Sequence, residues 1–349
     1  LYHGFTFSSG NDRFMFAEVQ LPLSRIVKYP AFAYDLKILN LHTGTTELIY
    51  KSPTHDSIPP IMDACQAGPR DHGFLVSLGQ DDVLVWCEAL DNGNPKLDVP
   101  KRDAVFIKTN NGIEKLFELN YRLDYIENES FGNLWVKESW EKTKTARLHR
   151  FDIQRKVLEL IFEYDQEDIY RLPGSPVGFV DDRNNSYIYN YNNNPNEILL
   201  TNSGFSPSGP KPRLDKYNII TKKTTLIWEC DCTPEKYQYI TGVFLEPSSI
   251  YLDPSKPGVI SIIYAEESPN KSVVRKIHYH PIPSNDEPKY LLGKQDSVIV
   301  DHSYFYKSLI GSKKEIINYT RNDGLPLSAN LHLPPNYKQD KFYPIIIWA

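Results

Sequence analysis

The sequence predicts an all-β protein, a β-propeller of about five blades, and three observations carry this reading. An alternating strand, a short polar turn and a second apolar strand recur at intervals of roughly 45 to 70 residues, near the length of a four-stranded propeller blade with insertions. No segment shows the 3.6-residue apolar period of an amphipathic helix. The 349 residues include 23 Tyr and 26 Pro, which favour half-buried pleated surfaces punctuated by turns.

The first recurrence runs Tyr34-Asp-Leu-Lys-Ile-Leu-Asn-Leu, turns at His42-Thr-Gly-Thr-Thr and returns as Glu47-Leu-Ile-Tyr50. The second is Ala104–Lys108 with Lys115–Leu119, around Asn110-Asn-Gly. The third is Arg147–Ile153 with Lys156–Phe162, and the fourth Leu214–Ile220 with Leu226–Trp228. A fifth pairs Val274–Tyr279 with Lys289–Leu292 across a longer turn. Each has the period-two alternation and Gly, Asn or Thr turn of a β-hairpin. One hairpin cannot bury its apolar face alone, so the repeat implies neighbours stacked around an axis rather than a pair of sandwiches. Shorter strands at Phe14–Val19, Val83–Glu88, Asn133–Glu138, Tyr187–Tyr191 and Val259–Tyr264 supply the inner part of each blade. Trp86, Trp135 and Trp228 are expected to fill the seams between blades. The polar stretch Asn190–Asn196 reads as a loop within a blade, and Ser203–Arg213 as a Pro/Gly-rich crossing.

A net charge of −5 argues against a nucleic-acid partner, which needs a basic stripe. No apolar run is long enough to span a membrane as a helix. The first residues lack the charged-then-apolar layout of a signal peptide and no Met begins the chain, so they do not assign a compartment. The four cysteines, at 65, 87, 230 and 232, lack the paired spacing of a structural zinc site and read as free thiols. His72 beside Asp71 reads as an exposed loop His, and His278 with His280 as strand-end residues, so neither a metal nor a cofactor is expected.

The last residues change register. Tyr319-Thr-Arg-Asn-Asp-Gly-Leu-Pro-Leu-Ser-Ala-Asn-Leu-His-Leu-Pro-Pro-Asn-Tyr337 reads as a strand, an Asn-Asp-Gly turn, a returning strand and a Pro-Pro stop. Tyr343-Pro-Ile-Ile-Ile-Trp348 then reads as a buried strand that stops in mid-run. This succession resembles the opening of the α/β-hydrolase domain in the prolyl oligopeptidase family of serine peptidases. Upstream, Ile58-Pro-Pro-Ile-Met-Asp-Ala, Gly68-Pro-Arg, Val85-Trp-Cys-Glu-Ala-Leu-Asp-Asn-Gly-Asn-Pro95 and Arg102-Asp-Ala-Val follow one another. Pro173-Gly-Ser-Pro, Ile198-Leu-Leu and Leu226-Ile-Trp-Glu continue the order. The set is similar to the propeller of the glutamyl endopeptidase group, with departures at Gly73-Phe74, where members commonly carry a Trp, and at Ser77–Asp82.

The resemblance implies a propeller over residues 1–314, some N-terminal blades of a seven-bladed ring being absent, and the first strands of a truncated hydrolase domain over 315–349. A serine nucleophile elbow needs G-x-S-x-G. Gly174-Ser-Pro-Val-Gly178 places its Ser one position too early, and Gly204-Phe-Ser-Pro-Ser-Gly209 its last Gly one too late. The triad is therefore expected beyond Ala349, and the chain to serve as the non-catalytic part that gates and helps bind peptide substrates. It would pack on its own hydrolase domain in a parent enzyme cleaving after Glu. A free-standing binding scaffold is the alternative. An acidic substrate side chain needs a cation, and Arg70 and Arg102, both at loop-to-strand junctions, are the candidates. The competing reading pairs Arg70 with Asp71 and Arg102 with Asp103 as structural bridges.

Overall fold

The computed structural model describes all residues except 1, 9–11, 30–31, 55–57, 59–60, 76–82, 110, 130–132, 181–185, 192–193, 207–208, 234–235, 246–259, 269–270, 282–289, 293–296, 303–306 and 349. The fold is all-β, and among the described residues helix is confined to short 3₁₀ turns such as Glu141–Thr143. Two compact units are present. One comprises residues 1–172 and 178–189, the other residues 173–177 and 190–349.

The first unit holds three antiparallel meanders. β1 (Tyr2–Phe7), β2 (Arg13–Val19), β3 (Tyr34–Asn40) and β4 (Thr46–Lys51) form the first sheet in that order. β5 (Arg70–Leu75), β6 (Val83–Ala89), β7 (Asp103–Thr109) and β8 (Gly112–Leu119) form the second. β9 (Arg122–Glu129), β10 (Leu134–Trp140), β11 (Thr145–Asp152) and β12 (Val157–Asp165) form the third.

β13 (Ser175–Pro176) belongs to the second unit, whereas β14 (Gly178–Val180) and β15 (Ser186–Ile188) extend the third sheet, β15 lying parallel to β9. This corrects the reading of Tyr187–Tyr191 as the inner strand of the fourth repeat. That place is taken by β16 (Glu197–Asn202), whose buried Ile198-Leu199-Leu200 run matches a strand covered on both faces.

The Pro/Gly-rich crossing folds into a small hairpin, β17 (Phe205–Ser206) with β18 (Gly209–Pro210). β13, β16, β19 (Arg213–Asn218) and β20 (Thr224–Glu229) then make the fourth sheet. β21 (Tyr237–Leu245), β22 (Ile260–Ser268), β23 (Lys271–Pro281) and β24 (Tyr290–Leu292) make the fifth. β25 (Ser297–Asp301) also pairs with β23, so the outer partner of that strand comes in two pieces. The chain continues into the hairpin of β26 (Lys313–Thr320) and β27 (Pro326–Leu333).

A shared irregularity marks the five meanders as copies of one unit. The third strand of each carries a register shift against its outer partner, at Leu36/Lys37, Val105/Phe106, Leu148/His149, Leu214/Asp215 and Val274/Arg275. A bulge there increases the local twist of the outer pair.

Neighbouring sheets bury their faces against each other. Met15, Ala17, Leu36 and Ile38 of the first sheet pack with Leu84 and Trp86 of the second. Val85, Cys87, Val105, Phe117 and Leu119 pack with Leu123, Leu134, Val136 and Phe151 of the third. In the second unit, Trp228 of β20 meets Tyr264 of β22, with ring centroids 5.3 Å apart. Trp135 is fully buried.

The Tyr343–Trp348 stretch differs from its sequence reading. It forms no strand, and Ile345, Ile346, Ile347 and Trp348 are exposed. Its apolar side chains have no facing sheet among the described residues, and an apolar run becomes a buried strand only where a sheet receives it.

Leu134 is 1% exposed at the junction of the second and third sheets. Leu134→Ala should lower unfolding free energy by about 3 kcal/mol, read from a urea midpoint at unchanged slope.

Candidate functional site

The chemistry-bearing side chains of the first unit converge at one end of the second sheet. Asp103, the first residue of β7, is fully buried, and so is Asp91 in the β6–β7 loop. Arg70 opens β5, Arg102 precedes β7 and Arg122 opens β9. The strand pattern thus brings three guanidinium groups to two carboxylates.

Asp103 Oδ1 accepts from Arg122 Nη1 at 3.0 Å, while its Oδ2 accepts from the Leu123 amide at 2.7 Å and from Arg70 Nη2. Asp91 Oδ2 accepts from Arg102 Nη1 at 3.0 Å and Arg122 Nη2 at 2.8 Å, and its Oδ1 from the Gly93 amide. Arg122 also donates from Nε to the Asp63 carbonyl at 2.8 Å. The Asp63 side chain in turn accepts from the Glu141 and Lys142 amides, tying the β4–β5 loop to the third sheet. Arg102 donates a second bond to the Leu97 carbonyl and lies 4.7 Å from the Trp140 ring centroid.

Arg70 and Arg102 therefore occupy one cluster, with partners that only partly follow the sequence. Arg70 holds Asp71, as the adjacent-pair reading supposed, but also Asp103. Arg102 is paired with Asp91 rather than Asp103. Sequence reading missed Arg122 and Asp91 as members and gave Asp103 to Arg102, whereas it holds Arg70 and Arg122. Arg122 sits in an unremarkable Asn-Tyr-Arg-Leu stretch, and only the pairing of β9 with its neighbours reveals its role.

Burial works against the charge on Arg70, yet Cys87, Asp103 and Asp71 around it leave its pKa raised. Burial pushes the Cys65 and Cys87 thiols up, so neither is primed as a nucleophile. Three guanidiniums face two fully buried carboxylates, and the third partner, Asp71, is half exposed. The cluster therefore balances three cations with three carboxylates, two sealed from solvent and one facing it.

Beside it lies a cleft of about 440 Å³, lined by Pro53, Cys65, Gln66, Gly68, Gly93 and Leu97 among others. Gly93 has a φ of +70°, and a Cβ there would stand 1.9 Å from the Cys65 carbonyl oxygen. Only glycine allows the two cleft walls to approach this closely.

His72 lies on β5 rather than in an exposed loop. Its ring stacks between Tyr50 at 5.7 Å and Trp86 at 6.5 Å. Strand alternation turns it toward the aromatic face of the sheet, which the neighbouring Asp71 did not suggest. His278 and His280 belong to β23, but their side chains lie outside the described residues. Among the described residues, no group of three His, Cys, Asp or Glu side chains is placed to hold a metal ion. No helix among them is long and apolar enough to cross a membrane.

Removing Asp103 would leave Arg70 and Arg122 buried without their shared counterion. Asp103→Ala should cost about 3–5 kcal/mol in urea unfolding, well beyond an exposed-pair deletion. Burial pushes His72 down to about 4 from an ordinary 6.5. The unfolded chain therefore takes up this proton first as pH falls. The stability His72 contributes is present above about 6.5 and lost towards pH 4, up to about 3 kcal/mol. His72→Phe, which keeps the ring stack, should flatten that part of the Tm–pH curve.

No protein-family model matches the sequence. A rice (Oryza sativa subsp. japonica) protein named "Probable glutamyl endopeptidase, chloroplastic" is 26% identical over 98% of this chain and 36% of its own length. Its Arabidopsis thaliana namesake is 25% identical over 98% of this chain and 35% of its own. The chain thus spans about a third of the length of the curated relatives it matches. Among solved structures, the Pyrococcus horikoshii acylaminoacyl peptidase covers 94% of this chain and 42% of its own, with TM-score 0.46 and 10% identity. A post-proline cleaving enzyme from Rickettsia typhi covers 97% and 50%, with TM-score 0.40 and 9% identity. Superpositions this loose add no weight of their own. The sequence match runs nearly end to end, and by it the chain is similar to the glutamyl endopeptidase group of the prolyl oligopeptidase family.

Proposed function

We propose that this chain is the non-catalytic propeller portion of a serine-type peptidase, gating access to the active site and helping to bind peptide substrates. The observation that carries the reading is the end-to-end match to about a third of two proteins named glutamyl endopeptidases. Five four-stranded meanders with a common bulge position support five blades in residues 1–314. The β26–β27 hairpin supports residues 315–349 as the first strands of the hydrolase domain, against which the blades would pack.

In this reading the parent enzyme cleaves after Glu with a Ser nucleophile, a His base and an Asp. Arg70 and Arg102 are the proposed contacts for the substrate carboxylate. Arg70 Nη1 is held by the half-exposed Asp71, and an incoming carboxylate can take that place while Nη2 stays on Asp103. Arg102 would need to release the Leu97 carbonyl while keeping Asp91. Both exchanges preserve the buried pair, which is the expensive one to break.

The reading fixes two measurements on the full-length product of the gene. It should hydrolyse Glu-containing chromogenic peptides and be inactivated by a fluorophosphonate, whereas residues 1–349 alone should do neither. An inert full-length product that resists the reagent would overturn the peptidase assignment. In the active enzyme, Arg70→Ala or Arg102→Ala should raise KM for Glu substrates about tenfold with kcat little changed. Unchanged KM alongside a lowered Tm would leave both as structural cations only.

A further inference from the structure

Outside the arginine cluster, the β2–β3 loop of the first unit emerges at the matching end of its own sheet. β2 ends at Val19 and β3 opens at Tyr34, as β6 ends at Ala89 and β7 opens at Asp103. Arg13, the first residue of β2, lies 5.3 Å from the ring centroid of Phe74, near the far end of β5. The last residues of β2 therefore lie toward Arg70, which opens β5. Gln20 pins the base of the loop there. Its backbone amide donates to the Ala33 carbonyl at 2.8 Å, and its side-chain amide to the Tyr34 and Ser52 carbonyls, each at 3.0 Å. Pro53, the residue after Ser52, lines the cleft beside the arginine cluster. The loop thus springs from the edge of that cleft.

Its side chains are not those of an ordinary polar turn. Ser24 Oγ accepts from the Ile26 and Val27 amides and bends the chain at that point. Leu21 and Ile26 are 80% and 79% exposed, and Leu23 and Tyr29 are exposed as well. Large apolar side chains gathered in water on one closed loop mark a surface that another molecule covers. Arg25 and Lys28 stand among them, both exposed, and neither pairs with a carboxylate among the described residues. No Asp or Glu occurs between Glu18 and Asp35. The loop therefore suits a partner that brings apolar side chains and negative charge together. An acidic peptide lying in the adjoining cleft is such a partner.

We propose that the Leu21–Tyr29 loop is a second subsite for the peptide substrate, which makes it a specificity element. Leu21 and Ile26 cover an apolar side chain near the acidic residue, and Arg25 and Lys28 attract further acidic residues of the same chain. This assignment rests on the peptidase reading of the neighbouring cleft. The substrate class it names is an acidic polypeptide that also exposes Leu-sized or aromatic residues. An unfolded chain offers that combination, because the apolar side chains a folded protein buries are then accessible. A short polar peptide would reach the arginine cluster but gain nothing from the loop.

Full-length enzyme is assayed on two sets of fluorogenic peptides that share one Glu, with Leu or Phe at the flanking positions in one set and Gly or Ser in the other. The wild type should favour the apolar set, and Leu21→Ser combined with Ile26→Ser should lower that preference, the ratio of kcat/KM values, about tenfold. Arg25→Gln with Lys28→Gln should flatten the salt dependence of KM for peptides carrying a second acid. All four side chains are exposed, so the variants should keep the wild-type Tm. An unchanged preference ratio would overturn the subsite. If Arg70→Ala still raised KM for Glu peptides in that case, the cleft reading would stand without the loop. A wild type that hydrolysed no Glu peptide would remove both. Sedimentation with phosphatidylglycerol vesicles that the Leu21→Ser and Ile26→Ser changes abolished would assign the loop to a lipid surface and overturn the proposal as well.

Discussion

Arg122 sits where four pieces of backbone meet, and the packing of the first unit depends on its charge being satisfied there. Its guanidinium reaches Asp103 on β7, Asp91 in the β6–β7 loop and the Asp63 carbonyl in the β4–β5 loop, while its own backbone opens β9. A guanidinium in such a place costs several kcal/mol in lost hydration unless each face meets an acceptor, and here the planar fork meets one in each direction. The geometry therefore selects one arrangement of loops and strands at this end of the second sheet. Loosely packed apolar side chains would tolerate many.

The apolar seams and the arginine cluster do different work on the same sheets. The seams of Leu, Ile, Val and aromatic side chains supply the non-directional attraction between neighbouring meanders. Strand alternation sets their register to the nearest two residues, because a one-residue slip would turn the buried side chains to the other face. The charged cluster sets it to the residue, because a shift along β7 would take Asp103 out of reach of Arg70, Arg122 and the Leu123 amide together. The recurrent bulge in each third strand belongs with this second class of constraint. It twists the outer pair at a fixed point and so repeats the same geometry from sheet to sheet.

This division explains which parts of the molecule were legible in the sequence. Hairpins around Gly44 and Gly112 were readable because period-two alternation and turn residues are local signals. The first strand of each meander was not, since β1, β5, β9, β13 and β21 are recognised mainly by whom they pair with. Tyr187–Ile188 has a strand pattern as clear as any inner strand, yet it joins β9 in parallel, a choice made by tertiary pairing alone. Arg70 and Arg102 were visible because each stands beside an Asp in a motif. Arg122, which holds more of the cluster than either, has no neighbouring acid in sequence. Its carboxylate partners lie 19 and 31 residues away. The Tyr343–Trp348 run shows the converse, an apolar pattern that specifies burial without specifying against what.

In the proposed reading, the cluster that fixes the loops also presents a cation to a ligand, because its three carboxylates are unequal in exposure. Arg122 has its donors on all sides committed to buried acceptors, so it has little to offer an incoming anion. Arg70 differs. One of its nitrogens is anchored to a carboxylate sealed from solvent, the other to one that is half exposed. The sealed pair keeps the guanidinium oriented, and the exposed pair is the weak one, because an Asp carboxylate already in water gains little from the contact. Asp71 also adopts a φ of +53°, a backbone conformation that non-glycine residues occupy at some cost. Displacing its exposed side chain gives up little, and in the proposed reading Asp103 already holds the guanidinium in the orientation a substrate carboxylate would meet.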